Sequence, residues 1–207
     1  MVKSIIKMTK REELKKAALF LYEVGTMRKV ARAHRQTLLT NDLSDNISSH
    51  SYRATWIGWI LAKEEKADSN RVTLMCLIHD ISETRSNDQN WVHKKYVKVF
   101  EDEIINDQIK GMPMEKDLKE ILGEYKERKT KEAKIAKDAD LIDQILLLKE
   151  YVWQGNKEAA DWLGKNKGRD NVQYKLLQTV SAKKLANEIL KQKPSDWWIN
   201  KWTEKRR

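Results

Sequence analysis

The sequence predicts an all-α protein, a single helical bundle with an additional C-terminal helical segment. Apolar residues recur at helical spacing almost everywhere, and no convincing run of period-two alternation is bounded by turn residues. Breakers are scarce, with 7 Gly and 2 Pro in 207 residues, so the periodic segments run long. Helices are expected first over Lys10–Val24 and Met27–Leu39. Asn41-Asp42 punctuates the chain before a third over Ser49–Lys66, and Asp68-Ser69-Asn70 before a fourth over Ser69–Glu83. A fifth is expected over Trp91–Asn106, and Gly111-Met112-Pro113 separates it from Met114–Arg128. Lys131–Trp153, Glu158–Gly164 and Asn171–Lys191 follow. Lys193-Pro194-Ser195 introduces the last, Ser195–Thr203, whose Trp197, Trp198 and Trp202 are expected to pack onto the parent domain or a second subunit.

A chain of this length supports one sizeable domain with a real apolar core, here expected over residues 1–165, with residues 166–207 as a helical extension packing on it. The single cysteine, Cys76, lies in the apolar run from Val72 to Ile81 and reads as a buried thiol. No apolar stretch approaches the ~18 residues that span a bilayer, and the N-terminus lacks a leader pattern, so a reducing cytoplasm is the expected compartment and no membrane partner is expected. The net charge of +10, concentrated at the two ends, suits either a nucleic-acid surface or attraction of a small anionic substrate. Charge alone chooses neither.

The segment ending Leu77-Ile78-His79-Asp80-Ile81-Ser82-Glu83 closes an apolar helix by presenting His79, Asp80 and Glu83 together. Burying an imidazole and a carboxylate uncompensated costs several kcal/mol (~2–7 for a polar group), so something must pair with them. A divalent cation satisfies both, and mixed nitrogen and oxygen donors suit Mn, Fe, Co, Ni or Zn better than Ca. His50 shares a face with Ala54, Ile57 and Leu61 and points inward near the start of its helix. Asp140 shares a face with Ala133 and Ala136, which admit close helix approach; on periodicity alone, Asp138 and Asp143 are equal candidates.

His, then His-Asp about thirty residues on, then Asp about sixty further, resembles the pattern of the HD superfamily of metal-dependent phosphohydrolases. The fuller resemblance is to its 5'-deoxynucleotidase branch, the YfbR-like and HD-domain-containing protein 2 group. It rests on Met27–Arg32, Ile47–Arg53, Leu77–Glu83 with Asp88, Glu124-Tyr125 and Glu132–Asp140, and spans about residues 15 to 155. The resemblance implies an HD-domain bundle, a single divalent transition metal held by His50, His79, Asp80 and Asp140, an acidic pair Glu83 and Asp88 beside it, and Arg32 as a substrate contact. Ala33 stands where bacterial relatives carry tryptophan, and Asn87-Asp88 where the family has Gly-Asp.

Such a site activates water for attack on phosphorus, and phosphoryl transfer demands charge neutralisation. Arg32 is the leading candidate cation, followed by Lys94 and Lys95. Glu83 is expected to orient or deprotonate the water, and Asp88 to protonate or position the leaving 5'-oxygen. The implied function is a 5'-deoxynucleotidase acting on small deoxyribonucleoside 5'-monophosphates, in a protein expected to be a homodimer. Two alternatives stand beside it: a hydrolase of another nucleotide phosphate ester, and a basic nucleic-acid-binding protein with a vestigial site. All four ligand positions are intact, which argues against the second, so a nucleic acid is not the expected partner.

Overall fold

The computed structural model describes residues 9–164, 170–199 and 201. Among these residues the chain forms α1 (Lys10–Val24), α2 (Arg35–Leu38), α3 (Ile47–Glu65), α4 (Ser69–Ile78), α5 (Glu83–Ser86), α6 (Trp91–Tyr96), α7 (Glu101–Ile109), α8 (Glu115–Glu127), α9 (Lys131–Trp153), α10 (Lys157–Trp162), α11 (Val172–Leu176) and α12 (Val180–Lys191). No strand is present among them, only an isolated bridge between Ala31 and Asn46. The fold is all-α, as the periodicity predicts. No helix is long and apolar enough to cross a membrane.

Side chains local to each start account for most helix boundaries. Thr9 and Glu12 form a reciprocal capping box on α1. Asn46, Asp68 and Thr130 each accept a backbone N–H at the start of α3, α4 and α9. Each cap satisfies a donor the helix cannot, worth ~1 kcal/mol. The core lies where α3, α4 and α9 meet: Ala54, Ile57 and Leu61 face Val72, Met75 and Cys76, with Ile135, Ala139 and Ile142 closing the layer. Each large aliphatic side chain buried there contributes roughly 1.5–3 kcal/mol. Gly58 sets the approach of α3 to α4, since a Cβ on it would lie 2.6 Å from Cys76 Sγ and 3.0 Å from Val72. Packing this tight is what carries His50 and His79, on different helices, to one place.

Four expected helices are interrupted, two of them by contacts from elsewhere in the chain. Residues 27–39 do not form one helix: a 3-10 turn (Gly25–Lys29) leads into an extended segment, and only α2 is helical. There Ile47 N–H donates to Val30 C=O and Arg32 N–H to Asp45 C=O, pairings with the start of α3 that a continuous helix would forbid. The fourth helix ends at Ile78, where i to i−4 bonding gives way to i to i−3 bonding: His79 N–H reaches Met75, but Ile81 N–H reaches Ile78 and Glu83 N–H reaches Asp80. The fifth divides into α6 and α7 at extended Val97, whose β-branched side chain favours that backbone. Asn171–Lys191 divides into α11 and α12 because the buried carboxylate of Asp138 accepts from the N–H groups of Gln178 and Thr179 and from the Thr179 hydroxyl.

α11 and α12 pack against α9, with Ala182 and Ala186 fully buried in the main core. Past α12 the chain turns without an α-helix through Ile199, and Trp197 and Trp198 are 74% and 49% exposed rather than packed onto the domain. Trp202, like the remainder of the expected last helix, lies outside the described residues.

Candidate metal centre

Two helices and one turn converge on a small polar centre. His50 comes from the first turn of α3, His79 and Asp80 from the tightened turn after α4, and Asp140 from the middle of α9, next to buried Ala139 and one turn after buried Ala136. His50 Nε2 and His79 Nε2 are 3.2 Å apart. Asp80 Oδ2 lies 3.1 Å from His79 Nε2 and 3.4 Å from His50 Nε2, and Asp140 Oδ1 lies 3.4 Å from His50 Nε2. Ligand atoms of His50, His79 and Asp140 all fall within 4.8 Å of one another.

The outer ring nitrogens fix what the inner ones present. His79 Nδ1 donates to Cys76 C=O at 2.9 Å; His50 Nδ1 donates to Asp143 Oδ2 at 2.6 Å. Both Nε2 atoms therefore turn lone pairs toward each other and toward two carboxylates, an arrangement that only positive charge relieves. This donor set fits a divalent transition metal. Without a cation a proton takes that role: burial and Arg32 push His50 down, but hydrogen bonds to Asp143 and Asp80 outweigh them and raise its pKa to about 9. Asp80 and Asp140 stay ionised despite burial. The imidazoles draw Asp80 well below the usual carboxylate range, and Lys137, 2.5 Å from Asp140, does the same there with help from both imidazoles.

The three aspartates of α9 have different tasks, set by helical phase. Asp140 faces the two imidazoles, Asp138 caps the start of α12, and Asp143 stands behind His50. Asp143 is itself gripped by Arg53 Nε at 2.5 Å, and Arg53 Nη1 continues to Glu150 at 2.7 Å. Asp143, a rival of Asp140 on periodicity, thus supports His50 from behind, and neither this role nor that of Arg53 is expected from the sequence. The available signal was their phase, Arg53 three residues after His50 and Asp143 three after Asp140.

Arg32 reaches the centre from the extended segment paired with α3. Its Nη1 is 3.4 Å from Asp80 Oδ2, and its Nε is 3.6 Å from Asp88 Oδ2, which also accepts from Ala33 N–H at 2.7 Å. Asn87, just before Asp88, sits at φ +58°, a backbone conformation that glycine adopts most readily. Glu83 lies beside Asp80 and Asp88; burial and these two charges raise its pKa to about 10, with Arg32 and Lys94 opposing, and its buried Oε2 has no hydrogen-bond partner. These residues open onto a cavity of about 720 Å³, floored by His79, Asp80 and Asp140 and walled by α8 and the chain around α6. That volume is within the range of small-ligand sites. Lys94 lines it. Lys95 is not brought there, and its ammonium lies 5.3 Å from the centre of the Tyr96 ring. The cavity is also lined by Tyr125, Lys137 and Arg128; the first two fall within the motif stretches named from the sequence, and Arg128 does not.

A family model for the HD domain matches residues 24–181. The 5'-deoxynucleotidase HDDC2 of Dictyostelium discoideum is 28% identical over 124 residues, covering 53% of this chain; the chain spans 64% of that relative's length. A conserved hypothetical protein from Pyrococcus furiosus superposes with a TM-score of 0.68 at 21% identity, over 84% of this chain and 99% of its own. A predicted metal-dependent phosphohydrolase from Magnetospirillum magnetotacticum does so with 0.66 at 18% identity, over 90% and 95%. At these identities the two structural likenesses speak for the fold.

Proposed function

The chain belongs to the HD domain family, and from that premise we propose that it is a metal-dependent phosphohydrolase, a 5'-deoxynucleotidase releasing phosphate from deoxyribonucleoside 5'-monophosphates. The observation that carries the reading is the convergence of two imidazole lone pairs and two ionised carboxylates at the floor of a cavity that also holds Arg32 and Glu83. The Dictyostelium relative supports the choice of substrate. His50, His79, Asp80 and Asp140 hold the metal, one of Mn, Fe, Co, Ni or Zn. When bound, it supplies an activated water as nucleophile and positive charge for the phosphoryl oxygens.

The chain's own groups do the rest. Arg32, braced by Asp80 and Asp88, offers fixed N–H donors to the phosphate, and Lys94 adds charge at the cavity wall. Glu83 is the proton donor: burial and the neighbouring carboxylates keep it protonated, and its unpartnered oxygen suits giving that proton to the leaving 5'-oxygen. Asp88, already accepting from Ala33 and facing Arg32, holds the arginine in place. A phosphate-release screen over deoxynucleoside and ribonucleoside mono-, di- and triphosphates and cyclic nucleotides, with each metal in turn, tests the proposal. Release from deoxynucleoside 5'-monophosphates is the expected result. Release only from another ester retains the phosphohydrolase and replaces the substrate; no release with any metal overturns both.

A further inference from the structure

The cations lining the cavity fall into two groups. Arg32 is committed to Asp80 and Asp88, Lys137 to Asp140, Lys126 to Asp102 and Lys119 to Glu115. Lys94, Lys98 and Arg128 have no carboxylate in ion-pair reach among the described residues. Of these, Arg128 is held in a fixed pose. Its guanidinium lies 3.4 Å from the centre of the Tyr125 ring, and that ring packs against His79 with centroids 5.3 Å apart. The cation is thus one aromatic ring away from the metal ligands. Its Nη1 is buried with no hydrogen-bond partner. Its backbone ends α8 at φ +57°, a left-handed position where glycine is the usual residue. A large side chain held in that conformation, stacked on an aromatic ring at the cavity wall with no carboxylate to neutralise it, suits a preformed anion contact.

We propose that Arg128 is a specificity residue that binds a second phosphate of the substrate, one not cleaved, while the scissile phosphate sits at the metal ligands. The favoured substrates are then deoxynucleotides with a phosphate at a second position, of which a 3',5'-bisphosphate is the simplest. This rests on the nucleotidase reading and extends it. Arg128 and Arg32 approach the centre by different routes, through Tyr125 and through Asp80 with Asp88, so they serve two separate anions. A nucleobase is the less suited occupant. Tyr125 is buried with its ring already covered by Arg128, and the other apolar groups on the cavity wall are aliphatic, such as Val97, Ile105 and Leu122.

Calorimetric titration of the metal-free protein with deoxyadenosine 3',5'-bisphosphate and deoxyadenosine 5'-monophosphate tests this without turnover. The bisphosphate is expected to bind about tenfold more tightly, the increment of one charge-assisted contact. In Arg128→Gln that advantage disappears, the two ligands binding within about twofold of each other; Arg128→Lys retains part of it. Equal affinities in the wild type overturn the proposal, and that comparison needs no variant. So does an Arg128→Gln loss that is the same for both ligands or that follows the identity of the base. Failure of the nucleotidase reading is distinct: neither compound releases phosphate with any metal, whatever their relative affinities.

Discussion

Replacing Asp143 with asparagine separates the support of the metal centre from the centre itself. Asp143 does not face the cavity's reacting groups; it accepts from His50 Nδ1 at 2.6 Å and from Arg53 Nε at 2.5 Å. Both partners are donors, and asparagine has one acceptor oxygen, so its amide N–H₂ must face one of them. The unsatisfied buried donor costs about 1–3 kcal/mol of stability. Arg53 also loses the carboxylate that keeps its charge tolerable at partial burial. For the metal the loss is of orientation: among the described residues Asp143 is the acceptor for His50 Nδ1, and an asparagine whose N–H₂ turns to His50 no longer keeps the proton on Nδ1 and the lone pair on Nε2. Loss of such an outer partner weakens a metal site about 10- to 100-fold, equivalent to about 1.4–2.7 kcal/mol. The assay is a competitive titration of the metal-free protein with zinc or manganese against a chromophoric chelator, beside urea unfolding. Asp138→Asn is the control, a fully buried acid on the same helix whose partners are Gln178 and Thr179. It should lose stability and keep metal affinity. If Asp143→Asn behaves like that control, the orientation argument is wrong.

Other perturbations test the remaining groups. His79→Ala and Asp80→Ala should each abolish stoichiometric metal by elemental analysis; full occupancy in both would reject the ligand set. Glu83 is protonated in the metal-free fold up to about pH 10 but titrates near 4.5 when unfolded, so the fold binds the extra proton between those values and loses stability as pH rises through that window. Glu83→Gln should therefore gain on the wild type by on the order of 1 kcal/mol per pH unit in chelator-treated urea melts from pH 5.5 to 8.5; parallel profiles would refute the assigned proton. Arg32→Ala should keep its metal and lower kcat/KM for a deoxynucleoside monophosphate by ~2–4 kcal/mol of transition-state stabilisation, with Arg32→Lys recovering part. Equal kcat/KM in all three proteins would remove Arg32 from the site.

The all-α class, the start of α4 at Asp68 and the inward face of α3 were legible because each depends on residues within a turn or two of one another. The spacing of Ala54, Ile57 and Leu61 puts His50 inward on any helix, whereas the cap of α3 is Asn46 and not the Asn41-Asp42 pair. The candidate centre was legible only where a recognisable pattern named its residues. Periodicity left Asp138, Asp140 and Asp143 equal, and they part company only because α12, the two imidazoles and Arg53 arrive on three sides of α9. The interruptions before α3 and between α11 and α12 had the same origin. Local preference is worth tenths of a kcal/mol per residue (~0–0.7), so a buried carboxylate accepting three donors, as Asp138 does, overrides it and ends a helix. Arg128 was invisible for a like reason: in the sequence it is one basic residue in a charged run, and only the stacking of Tyr125 between it and His79 makes it part of the cavity. Side-chain pattern set which surfaces are buried, while the meeting of distant segments decided which buried groups face one another.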